Sequence, residues 1–200
     1  MKTRPARRSY RMVSRAAGVA ETRDRILNAA IAAFWKNPTT DIPLDEIASG
    51  AGVAVQTVLR HFGTKQGLME AAGQRESERV SREREVAVAG DVREAVRVLV
   101  DHYEEMGDRV LTLLAEEHRM EGLRAIADTG LASHRAWCRR VFADVLADLD
   151  GVDRDRRLAQ LVAVCDVYTW KLLRRDARLS RRQTELALVE MLQPLREVPR

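Results

Sequence analysis

Residues 44–65 read Leu-Asp-Glu-Ile-Ala-Ser-Gly-Ala-Gly-Val-Ala-Val-Gln-Thr-Val-Leu-Arg-His-Phe-Gly-Thr-Lys. The spacing of the apolar residues in this stretch predicts two short helices joined by a turn. Ile47 and Ala48 face inward on the first helix, and Ala48 is small enough for a close helix crossing. Gly52 is suited to the tight turn, because it has no Cβ. This arrangement is typical of a helix-turn-helix DNA-binding motif.

The second helix of the motif has an inward and an outward face. Val53, Val58 and Phe62 are spaced to close the inward face against the rest of the motif. Gln56 is able to pair with adenine in the major groove, and with Thr57 it is the best candidate for reading bases. The residues left facing outward are the candidate DNA contacts, namely Ala54, Val55, Gln56, Thr57, Leu59 and Arg60. By spacing alone, an ordinary helical hairpin without DNA contacts remains the alternative.

Residues that flank the motif add candidate contacts to DNA. Pro43 and Leu44 stand at the start of the first motif helix, where proline is tolerated because its missing N–H costs nothing. Thr64 is expected to cap a long helix that begins at Lys65, and the amides of such a helix terminus attract anions. His61 and Lys65 are therefore the predicted phosphate contacts.

In this region the chain resembles the TetR family of bacterial one-component repressors. The resemblance rests on segments 22–30, 44–48, 51–53 and 60–65, which occur in this order near the N-terminus. Beyond about residue 72 the chain fits the family only in length and helical character. The resemblance implies a DNA-binding head, a dimer formed through the last two helices, and a body whose small-molecule effector releases the DNA.

Three positions depart from the pattern of TetR proteins. The positions that match Ala54 and Leu59 often hold Ser and Tyr in the family, which hydrogen-bond to the DNA backbone. Ala54 and Leu59 can add only apolar contacts, for instance to a thymine methyl group. Asp45 would repel phosphate or accept a hydrogen bond from a cytosine amine. The operator sequence therefore cannot be predicted from this resemblance.

Composition and charge are consistent with a regulator that has a basic head. The chain has 200 residues, of which 46% are hydrophobic and 4% aromatic, as expected of a soluble globular protein with one or two domains. Residues 1–65 carry a net charge of +6, and residues 66–200 carry −2. Basic residues favour contact with nucleic acid, because they neutralise phosphate. Residues 1–20 are expected to form a basic, disordered arm, which either follows the DNA or is a solvated extension.

Several classes of protein are not supported by the sequence. No apolar run approaches the roughly 20 residues of a membrane span, and no secretory signal is recognisable, so a cytoplasmic location without membrane contact is expected. Cys138 and Cys165 are interpreted as small buried apolar residues, without a disulfide framework or a CxxC metal site. No phosphate-binding glycine loop, nucleophile elbow or HExxH motif indicates an enzyme, and no cofactor is predicted.

The rest of the chain lacks alternating patterns and predicts an all-α protein. A first helix is expected from the N-cap Thr22 to about Asn37, with a loop through residues 39–41 after it. The predicted domains are the arm at 1–20, the helix-turn-helix head at 21–68, and a helical effector-binding and dimerisation domain at 69–200. The expected helices of that last domain begin with a charged, solvated connector at 75–85 and continue over 92–106, 110–114, 131–149, 158–173 and from about 180.

The body contains candidates for an effector pocket, which are Tyr103, Met106, His118, His134, Trp137 and Tyr168. They combine apolar surface with a few polar groups, as ligand pockets do. The alternative is that aromatic and Met residues at helical spacing are plain core. His134 and Cys138 are spaced to share one face, but two ligands are too few for a metal site, so no metal is predicted.

The last two helices are candidates for a dimer interface, because residues 158–173 are apolar on more than one face. The candidate contacts are Leu158, Leu161, Val162, Cys165, Thr169, Leu172, Leu186, Val189 and Leu192. A purely intramolecular core is the alternative. The sequence thus predicts a homodimeric regulator that binds a near-palindromic operator in double-stranded DNA, and the resemblance to TetR proteins implies that an unknown small molecule releases it. The rival hypothesis is a DNA-binding protein with a packed body that responds to no small ligand.

Overall fold

A computed structural model describes residues 6–36, 42–119 and 121–196. Within these residues every regular element is helical, which confirms the predicted all-α class. The N-terminal helices are α1 (Ala6–Lys36), α2 (Leu44–Ala51), α3 (Val55–Phe62) and α4 (Lys65–Arg84). The body consists of α5 (Val92–Glu116), α6 (Glu121–Val141), α7 (Ala143–Leu146), α8 (Gly151–Val164), α9 (Val167–Lys171) and α10 (Arg181–Arg196). None of the helices described is long and apolar enough to cross a membrane.

α1 begins well before the predicted N-cap at Thr22. The Thr22 hydroxyl donates to the Gly18 carbonyl at 2.8 Å, which is a bond within a continuing helix and not a cap. Residues 6–21 contain no proline and several alanines and arginines, so nothing interrupts the helix. The predicted arm is accordingly helical from Ala6, and its first five residues lie outside the described residues, as do Asn37 and the loop after it.

The head has a compact apolar core to which the body also contributes. Its buried side chains from α1 to α4 include Ile26, Leu27, Ala30, Phe34, Ile47, Ala48, Val58, Leu68 and Met69. Leu113 of α5 and Leu123 of α6 pack into the same cluster. The predicted boundary between residues 68 and 69 falls inside α4, so this helix belongs to both parts of the molecule.

α4 connects the head to the body by packing along α6. A Cβ on Gly73 would lie 2.5 Å from Cγ1 of Ile126, so the two helices approach as closely as a glycine allows. Farther along, the Ser77 and Ser133 hydroxyl oxygens are 2.7 Å apart and share a hydrogen bond. Near the start of this contact, Arg75 of α4 forms an ion pair with Asp24 of α1 at 2.8 Å. A shift of α4 against α6 would therefore be transmitted to the head.

Several helix boundaries in the body differ from the prediction. α5 runs through Gly107, which was expected to end it, and the missing side chain there makes room for the Trp170 ring. The helix expected over 158–173 is broken between α8 and α9, where the Asp166 carboxylate accepts from the Tyr168 amide at 2.9 Å. The helix expected over 131–149 begins earlier, at Glu121, and is interrupted after Val141, and the segment expected as a separate helix at 110–114 belongs to α5. The break at Gly90, whose φ is +86°, and a last helix after Ser180 agree with the prediction.

Candidate nucleic-acid interface and ligand cavity

The turn between α2 and α3 has the geometry that the sequence predicts. Gly52 adopts a left-handed conformation with φ of +65°, and its amide bonds to the carbonyls of Ala48 and Ser49. The Val53 amide then donates to the Ala48 carbonyl at 2.9 Å. α3 starts two residues later, after the extended Ala54. The corner fixes the direction in which α3 leaves the head.

One face of α3 is held in the head and the other is available to a partner. Val58 is completely buried, and Phe62 packs against the same core with the Arg23 guanidinium 5.1 Å from its ring centroid. Gln56 and Arg60 are exposed on the opposite side. These two side chains thus present an amide and a cation at the surface of the head.

Other predicted contacts of the motif are less accessible. Thr57 and Leu59 are half-buried, while Ala54 is exposed. Val55, which was expected to face outward, packs partly against the head core because it follows directly on the turn. Val53, which was expected to face inward, is only partly buried there.

The corner between α3 and α4 is fixed by a capping hydrogen bond. The Thr64 hydroxyl accepts from the Gly67 amide at 3.0 Å, which confirms the predicted N-cap. A Cβ on residue 67 would lie 2.5 Å from the Phe62 carbonyl oxygen, so only glycine fits there. His61 and Lys65, both half-buried, lie on either side of this corner.

The two candidate DNA contacts at the start of α2, Pro43 and Leu44, differ in exposure. Pro43 is exposed and occupies the N-cap position with φ of −64°, which its ring favours. Leu44 is half-buried and packs on the head core. Pro43 is thus the more accessible of the two. Asp45 and Glu46 are also exposed in this first turn, so the surface near α2 carries negative charge.

A cavity of about 390 Å³ lies between α4, α5, α6 and the start of α9. Four of the six predicted pocket residues line it, namely Tyr103, Met106, His134 and Trp137. His118 does not, because it is exposed in the short turn that follows α5. Tyr168 is 51% exposed on the outer side of α9, where its neighbour Val167 lines the cavity instead.

Arg84 and His102 also line the cavity, and sequence reasoning did not identify either of them. The run 75–85 was interpreted as a solvated face, yet the Arg84 side chain is only 6% exposed. The available signal was the recurrence of Gly73, Ser77, Val80 and Arg84 every three or four residues, which places them on one helix face. The many charged residues of the run 75–85 favoured its interpretation as a solvated face and made this pattern hard to recognise.

Aromatic rings and a histidine surround the Arg84 guanidinium. Its carbon lies 5.5 Å from the Tyr103 ring centroid and 5.6 Å from that of Trp137. Nη1 is 3.3 Å from Nδ1 of His134. Burial raises the pKa of Tyr103 above its ordinary value, so the phenol stays protonated and donates to the Cys165 carbonyl at 3.0 Å.

The histidine that lines the cavity on α5 is uncharged in the folded protein. Burial lowers the pKa of His102 to about 2, and the positive charges of Arg84 and Arg79 contribute in the same direction. The imidazole is therefore neutral at physiological pH. It can act as a hydrogen-bond donor or acceptor but adds no charge to the cavity wall.

Both cysteines are buried behind the cavity, as predicted. The thiols of Cys138 and Cys165 share a hydrogen bond, which lowers the pKa of Cys138 and raises that of Cys165. Sγ of Cys138 is also 3.7 Å from Nε2 of His134. Among the residues that the structure describes, no cluster of three His, Cys, Asp or Glu side chains is placed to hold a metal ion.

The region of the helix-turn-helix motif matches known proteins. The family model of bacterial regulatory proteins of the tetR family matches residues 26–72. Over 77 residues the chain is 39% identical to uncharacterised HTH-type transcriptional regulators of two Mycobacterium tuberculosis strains, CDC 1551 / Oshkosh and H37Rv. The chain belongs to the TetR family. The match spans 38% of this chain and 38% of each curated relative.

Solved structures extend the similarity to the body of this TetR-family protein at the level of fold. A transcriptional regulator from Pseudomonas aeruginosa PAO1 has a TM-score of 0.66 at 18% identity, covering 87% of this chain and 89% of its own. Salmonella enterica GusR has a TM-score of 0.64 at 22% identity, covering 86% of this chain and 95% of its own. SmeT, solved as a complex with triclosan, has a TM-score of 0.60 at 21% identity, covering 86% of this chain and 90% of its own. The family consists of regulators, which agrees with the prediction that the chain is not an enzyme.

Several predicted dimer contacts of this TetR-family protein are buried within its own chain. Leu158, Leu161, Cys165 and Leu192 are at most 4% exposed, because they form one core with Trp170 and Leu188. These four side chains are therefore not available to a partner. Val162, Thr169 and Val189 are half-buried. Leu172, directly after α9, and Leu186 of α10 are 60% and 44% exposed, and Tyr168 of α9 and Met191 of α10 are exposed as well.

Proposed function

We propose that this TetR-family protein is a transcriptional regulator that binds double-stranded DNA through α3. The observation that carries the proposal is the position of α3, which buried Val58 and half-buried Phe62 fix to the head while Gln56 and Arg60 remain exposed. An amide at this place can pair with adenine in the major groove, and a guanidinium can pair with guanine or phosphate. The basic balance of residues 1–65 adds attraction to the DNA backbone.

The proposed regulator acts as a homodimer on a near-palindromic operator. Exposed Tyr168, Leu172, Leu186 and Met191 on α9, α10 and the turn between them supply an apolar surface for a second copy. A two-fold axis through this surface would place two α3 helices on successive turns of the major groove. His61 and Lys65 at the α3–α4 corner, with Pro43 at the start of α2, would then contact the DNA backbone.

The proposed regulator is a repressor that a small molecule releases from DNA. The cavity of about 390 Å³ borders α4, and α4 also forms part of the head core. A ligand that favours one position of α4 would change the spacing of the two heads, and only this difference in affinity can release DNA. The complex of SmeT with triclosan supports small-molecule binding by a protein of this fold. A packed body without an effector is less well supported, because the cavity is large enough for a ligand.

The proposal is tested by fluorescence anisotropy with the DNA upstream of this protein's gene, titrated over a range of salt concentrations. Wild-type protein is expected to bind this DNA more tightly than random DNA, with an affinity that falls steeply as salt rises. Gln56→Ala is expected to lose about 1 to 3 kcal/mol of discrimination between the two DNAs. Lys65→Ala is expected to weaken binding to both DNAs alike.

Two further substitutions on α1 serve as controls. Asn28→Ala and Lys36→Ala remove the same kinds of group from exposed positions of the supporting helix, and wild-type binding is expected of both. Equal affinity of the wild type for upstream and random DNA at every salt concentration would contradict sequence-specific regulation of its own gene region. Full discrimination by the Gln56 variant would contradict the assigned role of α3.

A further inference from the structure

Arg84 is a buried cation in the cavity wall that has no carboxylate partner among the described residues. Other arginines of α4 are paired, since Arg79 lies 2.6 Å from Glu76 and Arg75 lies 2.8 Å from Asp24. The Arg84 side chain is 94% buried, and its Nε has no hydrogen-bond acceptor in the part of the chain described. A guanidinium stays charged in proteins, so this charge cannot be removed by deprotonation.

The groups around Arg84 offset only part of the cost of burying it. The faces of Tyr103 and Trp137 attract the cation, and His134 accepts one hydrogen bond through Nδ1. A buried charge is costly unless an opposite charge pairs with it. Nη1 is engaged by His134 and Nε is enclosed without an acceptor, so no carboxylate of the described residues pairs with this guanidinium, a group that binds carboxylates through two parallel bonds.

The acidic residues that line the cavity are engaged elsewhere or lie at its rim. Glu76 accepts from Arg79 at 2.6 Å, and Asp166 caps α9 by accepting from the Tyr168 amide at 2.9 Å. Glu85 is exposed. Among the described residues, no carboxylate of the cavity wall therefore forms an ion pair with Arg84.

The rest of the cavity wall is largely apolar. Its apolar members include Trp35, Met106, Val110, Leu113, Leu114 and Ile126. Burying hydrocarbon against such a wall is favourable, whereas burying a second ligand charge there would be costly. The wall therefore favours a ligand with one charged end and an apolar remainder.

We propose that the cavity binds an apolar monocarboxylate, whose carboxylate pairs with the Arg84 guanidinium. The hydrocarbon part of this ligand lies against the apolar wall formed by α4, α5 and α6. The inference rests on the proposed function for the consequence of binding, since the bound acid is then the effector that acts on α4. The anion site itself depends only on Arg84 and the cavity.

The test compares acids with their uncharged amides on the full-length protein. Octanoate, decanoate, phenylbutyrate and naphthoate, each beside its primary amide, are titrated while tryptophan fluorescence is recorded, because Trp35 and Trp137 line the cavity. At least one acid is expected to bind about tenfold or more tightly than its amide. Arg84→Met is expected to remove this preference. Arg82→Met, which changes an exposed arginine of α4 outside the cavity wall, is expected to keep it.

Thermal unfolding followed by circular dichroism shows whether Arg84→Met remains folded. Without ligand, this variant is expected to melt at or above the wild-type temperature, because an unpaired buried charge has been replaced by an apolar side chain. Any acid that binds is expected to raise the melting temperature of the wild type and not that of the variant. A folded Arg84→Met that keeps the preference for acids would overturn the inference, as would a panel in which no acid exceeds its amide.

A DNA titration in the presence of the same compounds separates this inference from the proposed function. An acid that binds through Arg84 but leaves DNA affinity unchanged would support the anion site and contradict the effector mechanism. A neutral compound that releases DNA while no acid binds would support the effector mechanism and overturn the anion site.

Discussion

His102 is the side chain whose ionisation the fold changes most clearly. Burial, followed by the charges of Arg84 and Arg79, lowers its pKa from 6.5 to about 2. In the unfolded chain the imidazole takes up a proton near its ordinary pKa, while the folded protein stays unprotonated at this position. Stability contributed by neutral His102 is therefore complete above pH 6.5 and is lost progressively as the pH falls from 6.5 towards 2.

A prediction at the scale of this residue follows for acid unfolding. His102→Gln is expected to reduce the loss of unfolding free energy between about pH 6.5 and about pH 4.5 by up to about 1.4 kcal/mol per pH unit. The free energy is measured by urea unfolding at a series of pH values. His118→Gln, at an exposed position, is the control and is expected to follow the wild type. Identical slopes for the His102 variant and the wild type would show that this imidazole is not the buried neutral group described.

Among the helices, the contact of α5 with α9 depends on the absence of a side chain. A Cβ on Gly107 would lie 2.5 Å from one carbon of the Trp170 ring and 2.7 Å from another. Trp170 is completely buried, and Arg174 and Trp170 both bond to Glu104 one turn earlier on α5. The ring cannot shift without disturbing these bonds, so the two helices are held at this distance.

Gly107→Ala is accordingly expected to lower the free energy of unfolding by about 2 kcal/mol, because it overpacks the contact. Gly130→Ala is the matched control, since Gly130 also lies within a helix but a Cβ there would meet nothing within 4 Å. That control is expected to gain roughly 0.5 to 1 kcal/mol, as Gly-to-Ala changes in helices do. Both free energies are measured by urea unfolding of the ligand-free protein. A Gly107→Ala variant with the wild-type free energy of unfolding would mean that the α5–α9 contact is adaptable.

At the scale of the whole molecule, the proposed dimer surface is tested by placing charges on it. Leu172→Glu combined with Leu186→Glu is expected to raise the dimer dissociation constant by about a hundredfold, because two carboxylates would be dehydrated at the interface. Val88→Glu, at a 65% exposed position between α4 and α5, is expected to leave the constant unchanged. Sedimentation equilibrium measures the constant directly. A double variant that dimerises like the wild type would place the interface elsewhere.

The helix-turn-helix motif is the part of the fold that local chemistry specifies most fully. The turn at Gly52, the cap at Thr64 and the burial of Val58 each depend on residues a few positions apart, so periodicity and capping preferences predict them. The same locality explains why segments of this region carry the family resemblance. The predicted start of α1 was wrong because Thr22 fits the interior of a helix as well as an N-cap. Local preference alone cannot decide between these two positions.

Residue type and spacing thus determined the helical class, the motif and four members of the cavity wall. Only the tertiary structure decided which apolar residues of α8 and α10 face inward, because Leu158, Leu161 and Leu192 are buried by helices distant in sequence. It also decided that Arg84 is buried in the cavity wall and that Gly107 lies within a helix. In each case the deciding contact joins residues far apart along the chain, and the free energy of such contacts exceeds local preferences that amount to at most about 1 kcal/mol per residue.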